Sequence, residues 1–166
     1  MLLNKAHDIL NAMKSHEYSN HSYVDEKNGV YRFNCASFIL YLLSLLGLKL
    51  DSKRTCDLYD ELDSYGTRVF ELYDIEPGDI VIWKKNVIPK RGDSGHVAIV
   101  NAIQGNRLQV IDCVKELHDQ DTRVSPGIGM GWIELLSKDN QIAGFRWLGN
   151  SIKTKYTDIK IIRLNL

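Results

Sequence analysis

The sequence predicts an α+β fold in which N-terminal helices pack on an antiparallel sheet of about five strands. Apolar side chains recur at helical spacing in the first 50 residues, whereas later residues hold short β-branched runs separated by turn residues. This order of helices first and strands afterwards is typical of α+β proteins. The 166 residues contain no linker, repeat or low-complexity segment, so we expect a single domain over residues 1–166.

Two helices are predicted before residue 50. Apolar residues at helical spacing over residues 1–13 indicate an amphipathic helix and not a signal peptide. The second helix begins after Asn34, a residue type favoured at N-caps, and ends near Gly47. Its apolar residues surround the axis, so we expect it to be buried inside the domain, and it is too short to span a bilayer.

The predicted sheet follows residue 75. Short runs rich in β-branched residues predict strands at residues 79–84, 96–103, 107–114, 142–148 and 158–164. The turn Gln104-Gly105-Asn106 joins the second and third of these strands as an antiparallel hairpin.

Cys35 and His96 are the candidate nucleophile and base. Cys35 lies in the first turn of the second helix, where unpaired backbone N–H groups and the helix dipole favour a thiolate. The alternative is a buried structural cysteine, since free cysteines are among the most buried residue types. His96 follows Gly95 at the start of a strand that would hold the imidazole still at a cleft, and its alternative is a surface histidine at a strand edge.

Asp112 is the candidate that orients His96, because a base works best when its second nitrogen is held by an acceptor. Side chains alternate along a strand, so these two residues share a face only if paired residue numbers sum to an even value, as with a three-residue turn. A two-residue Gly105-Asn106 turn would put them on opposite faces. In that case His118 is the alternative orienting residue.

The residues around these positions resemble the NlpC family of cysteine peptidases in the papain-like superfamily. The resemblance covers residues 20 to 148 and rests on Asn34-Cys35-Ala36-Ser37-Phe38, Pro77-Gly78-Asp79-Ile80-Val81, Gly95-His96-Val97-Ala98-Ile99-Val100 and Ile111-Asp112. The family motif at the nucleophile is typically Asp-Cys-Ser-Gly-Phe, and its third residue is often histidine, so this chain departs at Asn34, at Ala36-Ser37 and at Asp112. The CHAP amidases are near relatives. The resemblance implies a papain-like fold, a Cys35–His96–Asp112 triad and a substrate pocket lined by Tyr23.

Further substrate contacts are expected beyond Asp112. The polar segment that starts at His118, the glycine-rich stretch that ends at Trp132 and the run Phe145-Arg146-Trp147 indicate a cleft wall. Arg123 or Arg146 would bind a carboxylate on the substrate. The alternative is a solvated loop beside an ordinary edge strand.

Composition excludes several classes of protein. Lys plus Arg and Asp plus Glu both total 21, and the resulting zero net charge gives no electrostatic footprint for nucleic acid. The three cysteines are too few for a disulfide framework, so a reducing compartment is the default. No metal or other cofactor is expected, since cysteines and histidines lack the spacing of a metal motif.

The predicted activity is hydrolysis of a peptide or amide bond through a thioester, with a peptide or peptidoglycan fragment as the substrate. Two alternatives remain open at this point: an acyltransferase or transglutaminase-like enzyme with the same triad, and a catalytically silent module that binds peptide or glycan. Without a signal peptide in this chain, the expected location is the cytoplasm, or export by a route that needs no such leader.

Overall fold

The structure is a computed structural model that describes residues 1–118, 120–148 and 154–166. Its α-helices are Leu2–Ala12 (α1), Cys35–Leu45 (α2) and Thr55–Glu61 (α3). None of the helices in these described ranges is long and apolar enough to cross a membrane. The strands, in chain order from β1 to β11, are Ser15–Tyr18, Tyr23–Asp25, Val30–Phe33, Gly66–Val69, Ile80–Lys84, Gly95–Gln104, Arg107–Val114, Gly127–Lys138, Gln141–Trp147, Thr154–Tyr156 and Asp158–Leu164.

The strands form a main antiparallel sheet and a small second sheet. The main sheet has eight strands in the order β10-β9-β8-β7-β6-β5-β11-β4. The small sheet has the order β1-β3-β2, and its β1–β3 pair is parallel. The α+β class is confirmed, and the five predicted strands correspond to β5, β6, β7, β9 and β11. The predicted number of strands is wrong, because β4, β8 and β10 also belong to the main sheet.

Strand β8 was missed because its alternating glycines resemble a loop. In the structure this glycine-rich segment is a twelve-residue strand that pairs with β7 and β9. A Cβ atom at Gly129 would collide with the side chain of Arg123, and one at Gly131 would collide with His118. The glycines therefore let the side chains of Arg123 and His118 lie directly on the strand.

The main sheet separates two apolar clusters. Helix α2 packs on one face, where Phe38, Ile39 and Leu42 are fully buried, and this confirms the predicted burial of the helix. The other face curls so that β9 approaches β11, and it encloses a second cluster that includes Trp83 and Phe145. Each such buried side chain stabilises the fold by about 1.5–3 kcal/mol. Helix α2, which begins at Cys35, and strand β6, which carries His96, are therefore both anchored in the core.

The turn between β6 and β7 is the two-residue form that would separate His96 from Asp112. Gln104 pairs with Arg107, which is the odd register, so the expected three-residue turn is wrong. A β-bulge at Asn101 then shifts the register by one residue, and Val100 pairs with Val110 in the even register. The extra residue in the bulge thus has the same effect as a third turn residue, and His96 and Asp112 lie on the same face of the sheet.

Polar side chains from three elements meet at this bulge. His7 on α1 forms a hydrogen bond of 2.7 Å between its Nε2 and Asn101 Oδ1. Asn101 Nδ2 donates to Gln109 Oε1 on β7 at 2.8 Å. The amide of Asn101 is thus satisfied on both sides, which ties the first helix to the residue that sets the register.

Asn101→Ala should lower the free energy of unfolding by about 1–2 kcal/mol, because it leaves two half-buried polar groups without their partner. Urea denaturation measures this change. The control is Gln141→Ala at the exposed start of β9, expected within about 0.5 kcal/mol of the parent. Equal stability of the two variants would contradict a structural role for the bulge network.

Candidate active site

Cys35 is the first residue of α2, directly after a complete capping box. Asn34 Oδ1 accepts a hydrogen bond from the Ser37 backbone N–H at 2.9 Å, and Ser37 Oγ accepts one from the Asn34 N–H at 2.9 Å. Asn34 and Ser37, which both differ from the NlpC motif, are therefore the pair that fixes the start of the helix. The Cys35 side chain is buried, and its Sγ lies 3.4 Å from Thr55 Oγ1 on α3.

Cys35 and His96 form an electrostatically coupled pair. Burial by itself raises the pKa of Cys35, but hydrogen bonding and charge attraction from His96, with a contribution from Thr55, hold it below its usual value. Burial likewise opposes the charged form of His96, yet Asp112 and Cys35 together raise the pKa of His96 to about 10. At neutral pH this arrangement favours a thiolate beside an imidazolium.

Asp112 holds His96 from the other side. Its fully buried Oδ2 accepts a hydrogen bond from His96 Nε2 at 2.8 Å, so Nδ1 is the ring nitrogen left for the thiol. His118 Nε2 donates to the same oxygen at 3.0 Å. Asp112, and not His118, is thus the residue hydrogen-bonded to His96, and His118 is a second donor to Asp112.

Arg123 completes the surroundings of Asp112. Its Nη2 donates to Asp112 Oδ1 at 2.6 Å, and its Nε donates to Asp121 Oδ1 at 2.7 Å. Burial works against the charge of Asp112, but Arg123, followed by His118 and His96, holds its pKa well below the usual range. The Arg123 side chain is only 1% exposed, so it supports Asp112 and does not reach a substrate, contrary to the expectation from sequence.

Two cavities meet at Cys35. The larger, of about 390 Å³, has an aromatic wall that includes Trp83, Phe145 and Trp147, and His118 also lines it. The His118 ring stacks on Trp147 with centroids 3.7 Å apart. The smaller cavity, of about 60 Å³, lies towards Asn20 and Thr55. The residues common to both cavities are Tyr18, Cys35 and Asp93.

Three other residues expected at the substrate cleft line neither cavity. Tyr23 is 49% exposed on β2, with Arg32 over its ring at 5.4 Å. Trp132 lies on β8, opposite Gln109. Arg146 donates to Glu134 Oε2 at 2.8 Å and so forms an ion pair instead of facing the cleft.

The aromatic residues that do line the cleft carry a signal that was overlooked. Phe145 and Trp147 flank Arg146 on a strand, so they face the side opposite to the arginine, and the alternation of a strand could have assigned these faces. Tyr18 takes the position expected for Tyr23, and it lies only five residues earlier in the sequence. Nothing in the local pattern distinguishes these two tyrosines, since both lie on short polar strands.

His96, Asp112 and His118 lie close enough together to be considered as ligands of a metal ion. Ligand atoms of His96, Asp112 and His118 all lie within 4.8 Å of one another, although sequence spacing gave no sign of it. Metal binding requires imidazole nitrogens free of protons. The raised pKa of His96 and the guanidinium of Arg123 on Asp112 both oppose a cation here, so the residues fit an ion-paired histidine better than a metal.

Comparison with known proteins points to the same region. A family model described as the CHAP domain matches residues 24–113, which include Cys35, His96 and Asp112. Among solved structures, the chain is similar to a protein of Staphylococcus aureus subsp. aureus Mu50 described as similar to a lipoprotein of the NLP/P60 family. That match has 19% identity and a TM-score of 0.42, and it covers 87% of this chain but 40% of the other. No match was found among curated proteins.

The alkylation rate of Cys35 should depend on His96. In the parent protein, iodoacetamide should label Cys35 with an apparent pKa below 9, whereas His96→Ala removes the main group that lowers the pKa of the buried thiol and so raises that pKa. At pH 7 the rate should fall by about tenfold or more, since each pKa unit is a factor of ten in thiolate. Peptide mass spectrometry measures the label at each cysteine.

Two controls accompany the alkylation experiment. His21→Ala removes an exposed histidine and should leave the rate unchanged. Cys113 should label slowly in every variant, because burial and the nearby Asp112 raise its pKa. Cys35 that labels no faster than Cys113 in the parent protein would contradict the coupled pair.

Arg123→Met should destabilise the protein by about 3–5 kcal/mol, because it leaves the buried Asp112 carboxylate without its guanidinium. In an Asp112→Asn background the same change should cost much less, and a double-mutant cycle from urea denaturation measures the difference. The control is Arg146→Met, whose half-buried pair with Glu134 should be worth about 1 kcal/mol or less. Additive losses at Arg123 and Asp112 would show that the two charges are not coupled.

Proposed function

Because the chain belongs to the CHAP domain family, we propose that it is a cysteine hydrolase that cleaves a peptide or amide bond in a peptidoglycan stem peptide or a related cell-wall fragment. The match confirms the resemblance to the CHAP amidases, which were expected as near relatives, and this family consists mostly of amidases and peptidases related to peptidoglycan. One observation carries the proposal: Cys35, coupled to His96 and Asp112, lies where the two cavities meet.

The first step is attack of the Cys35 thiolate on the carbonyl carbon of the scissile amide. The electron pair of the C=O bond moves to oxygen, and a tetrahedral intermediate forms. His96 then gives its Nδ1 proton to the leaving nitrogen, the C–N bond breaks, and a thioester remains on Cys35. Asp112 keeps Nε2 hydrogen-bonded through the cycle and stabilises the imidazolium, as an orienting carboxylate does.

Water completes the reaction. His96, now neutral at Nδ1, takes a proton from a water molecule that attacks the thioester carbonyl. Collapse of the second tetrahedral intermediate releases the carboxylic acid and restores the thiolate–imidazolium pair. The net change is one water consumed per amide bond broken, with one new amine and one new carboxylate.

The developing oxyanion needs two donors near Cys35. The backbone N–H of Cys35 is one of the unpaired donors in the first turn of α2. The Tyr18 hydroxyl is a suitable second donor, because Tyr18 borders both cavities beside Cys35. Burial, with the adjacent Cys35, raises the pKa of Tyr18 to about 12, so the phenol keeps its proton at neutral pH.

The test of the proposed function is incubation of the protein with purified peptidoglycan and isolated muropeptides. Mass spectrometry should detect fragments that have gained one water, with a matching new amine, and Cys35→Ala should produce none. Products joined to an added amine or alcohol would identify an acyltransferase instead. Muropeptides that bind without turnover, equally to the parent and to Cys35→Ala, would identify a silent binding module and overturn the proposal.

Tyr18→Phe should reduce kcat on any cleaved fragment by about a hundredfold, the usual cost of one lost oxyanion donor. The pH profile of Cys35 alkylation should persist, because that reagent forms no oxyanion. Tyr23→Phe is the matched control, since its exposed ring lies outside both cavities, and its kcat should equal that of the parent. The reverse pattern, with loss at Tyr23 and none at Tyr18, would return the role to Tyr23.

A further inference from the structure

The larger cavity carries positive charge that the hydrolytic mechanism does not use. Lys85, Lys115 and Lys155 line it, together with the acidic residues Asp93 and Glu116. Lys85 Nζ lies 3.5 Å from Asp93 Oδ2, so these two charges largely offset each other. Lys115 and Lys155 have no ion-pair partner within the part of the chain that the structure describes.

The ammonium groups of Lys115 and Lys155 each lie over an aromatic ring of the cleft. Lys115 Nζ lies 5.8 Å from the ring centroid of Tyr18, and Lys155 Nζ lies 6.0 Å from that of Phe145. Both rings line the same cavity as the lysines. A cation over an aromatic face is held weakly, and its N–H groups stay available to an acceptor. Lys115 follows β7 and Lys155 lies on β10, and both line the cavity, so both positive charges attract an anion that enters it.

We propose that the larger cavity is a subsite for a carboxylate on the substrate, and that Lys115 and Lys155 determine this preference. This inference rests on the proposed function, and it moves the expected carboxylate contact from Arg123 and Arg146 to two lysines. Those arginines already bind Asp112 and Glu134, whereas the lysines lie on the aromatic wall beside the nucleophile. The subsite favours a cell-wall fragment with a free carboxyl group over its neutral amidated form.

Glu116 is the opposing charge in the same cavity. It follows Lys115 in the sequence and lies at the exposed rim. Its carboxylate repels an anionic substrate, so Glu116→Gln should strengthen the preference that the lysine substitutions weaken. The imidazolium of His96 also attracts anions, but it is common to all these variants and cancels when they are compared.

The first arm of the experiment needs no turnover. Iodoacetate and iodoacetamide alkylate the same thiol, but only iodoacetate is an anion. The iodoacetate-to-iodoacetamide rate ratio at Cys35 should fall about threefold in Lys115→Gln and in Lys155→Gln, and further in the double variant, as expected for partly exposed charges. It should rise in Glu116→Gln, and added salt should reduce it in the parent protein.

The control for this arm is Lys138→Gln. Lys138 is an exposed lysine at the far end of β8 from the Gly129–Asp112 pair. This variant should give the parent ratio. A ratio in Lys115→Gln and Lys155→Gln that equals the ratio in the parent and in Lys138→Gln would overturn the proposal.

The second arm compares muropeptides whose stem-peptide carboxyl is free with the same muropeptides amidated. The parent should cleave the free form with the higher kcat/KM. The double lysine variant should reduce this selectivity by about tenfold, because each lysine contributes about threefold and the two contributions multiply. Cleavage of both forms without discrimination would overturn the carboxylate subsite and leave hydrolysis intact. Absence of cleavage, with an alkylation ratio that still depends on Lys115 and Lys155, would overturn hydrolysis and leave the anion subsite standing.

Discussion

The buried carboxylate of Asp112 is the group on which the rest of the site depends. A charge with no solvent exposure is tolerated only where donors surround it, and Asp112 accepts hydrogen bonds from His96, His118 and Arg123. Those contacts keep the carboxylate ionised, and the ionised carboxylate in turn keeps His96 protonated beside Cys35. Removal of one donor is therefore expected to raise the pKa of Asp112 and, through Asp112, to weaken the support for the charged form of His96.

The backbone departs from regular strand structure in two places to make this arrangement possible. The bulge at Asn101 brings Asp112 to the face of the sheet that His96 occupies, and it is held by polar contacts to α1 and β7. The glycines of β8 remove side chains where Arg123 and His118 must lie. Both features weaken a regular strand locally. The bulge sets the position of the acceptor Asp112, and the glycines make room for its donors Arg123 and His118.

The cleft extends to both sides of Cys35, with unequal volumes and different chemistry. The larger side is aromatic and carries lysines, and the smaller side is polar and narrow. The segment that matches the CHAP family model runs from β2 to β7 and contains Cys35, His96 and Asp112.

The sequence by itself determined the α+β class, the burial of α2, five of the main-sheet strands and the choice of Cys35 and His96 as candidate residues, because these depend on local periodicity, capping and residue chemistry. It could not decide the register at Asp112, since a bulge at Asn101 leaves no local pattern and offsets the two-residue turn only in the folded sheet. Tertiary packing alone decided that Arg123 and Arg146 face ion-pair partners, that Tyr18 and not Tyr23 borders Cys35, and that β8 is a strand. Each of these outcomes depends on which distant side chain occupies the neighbouring space, and that information is absent from any short stretch of sequence.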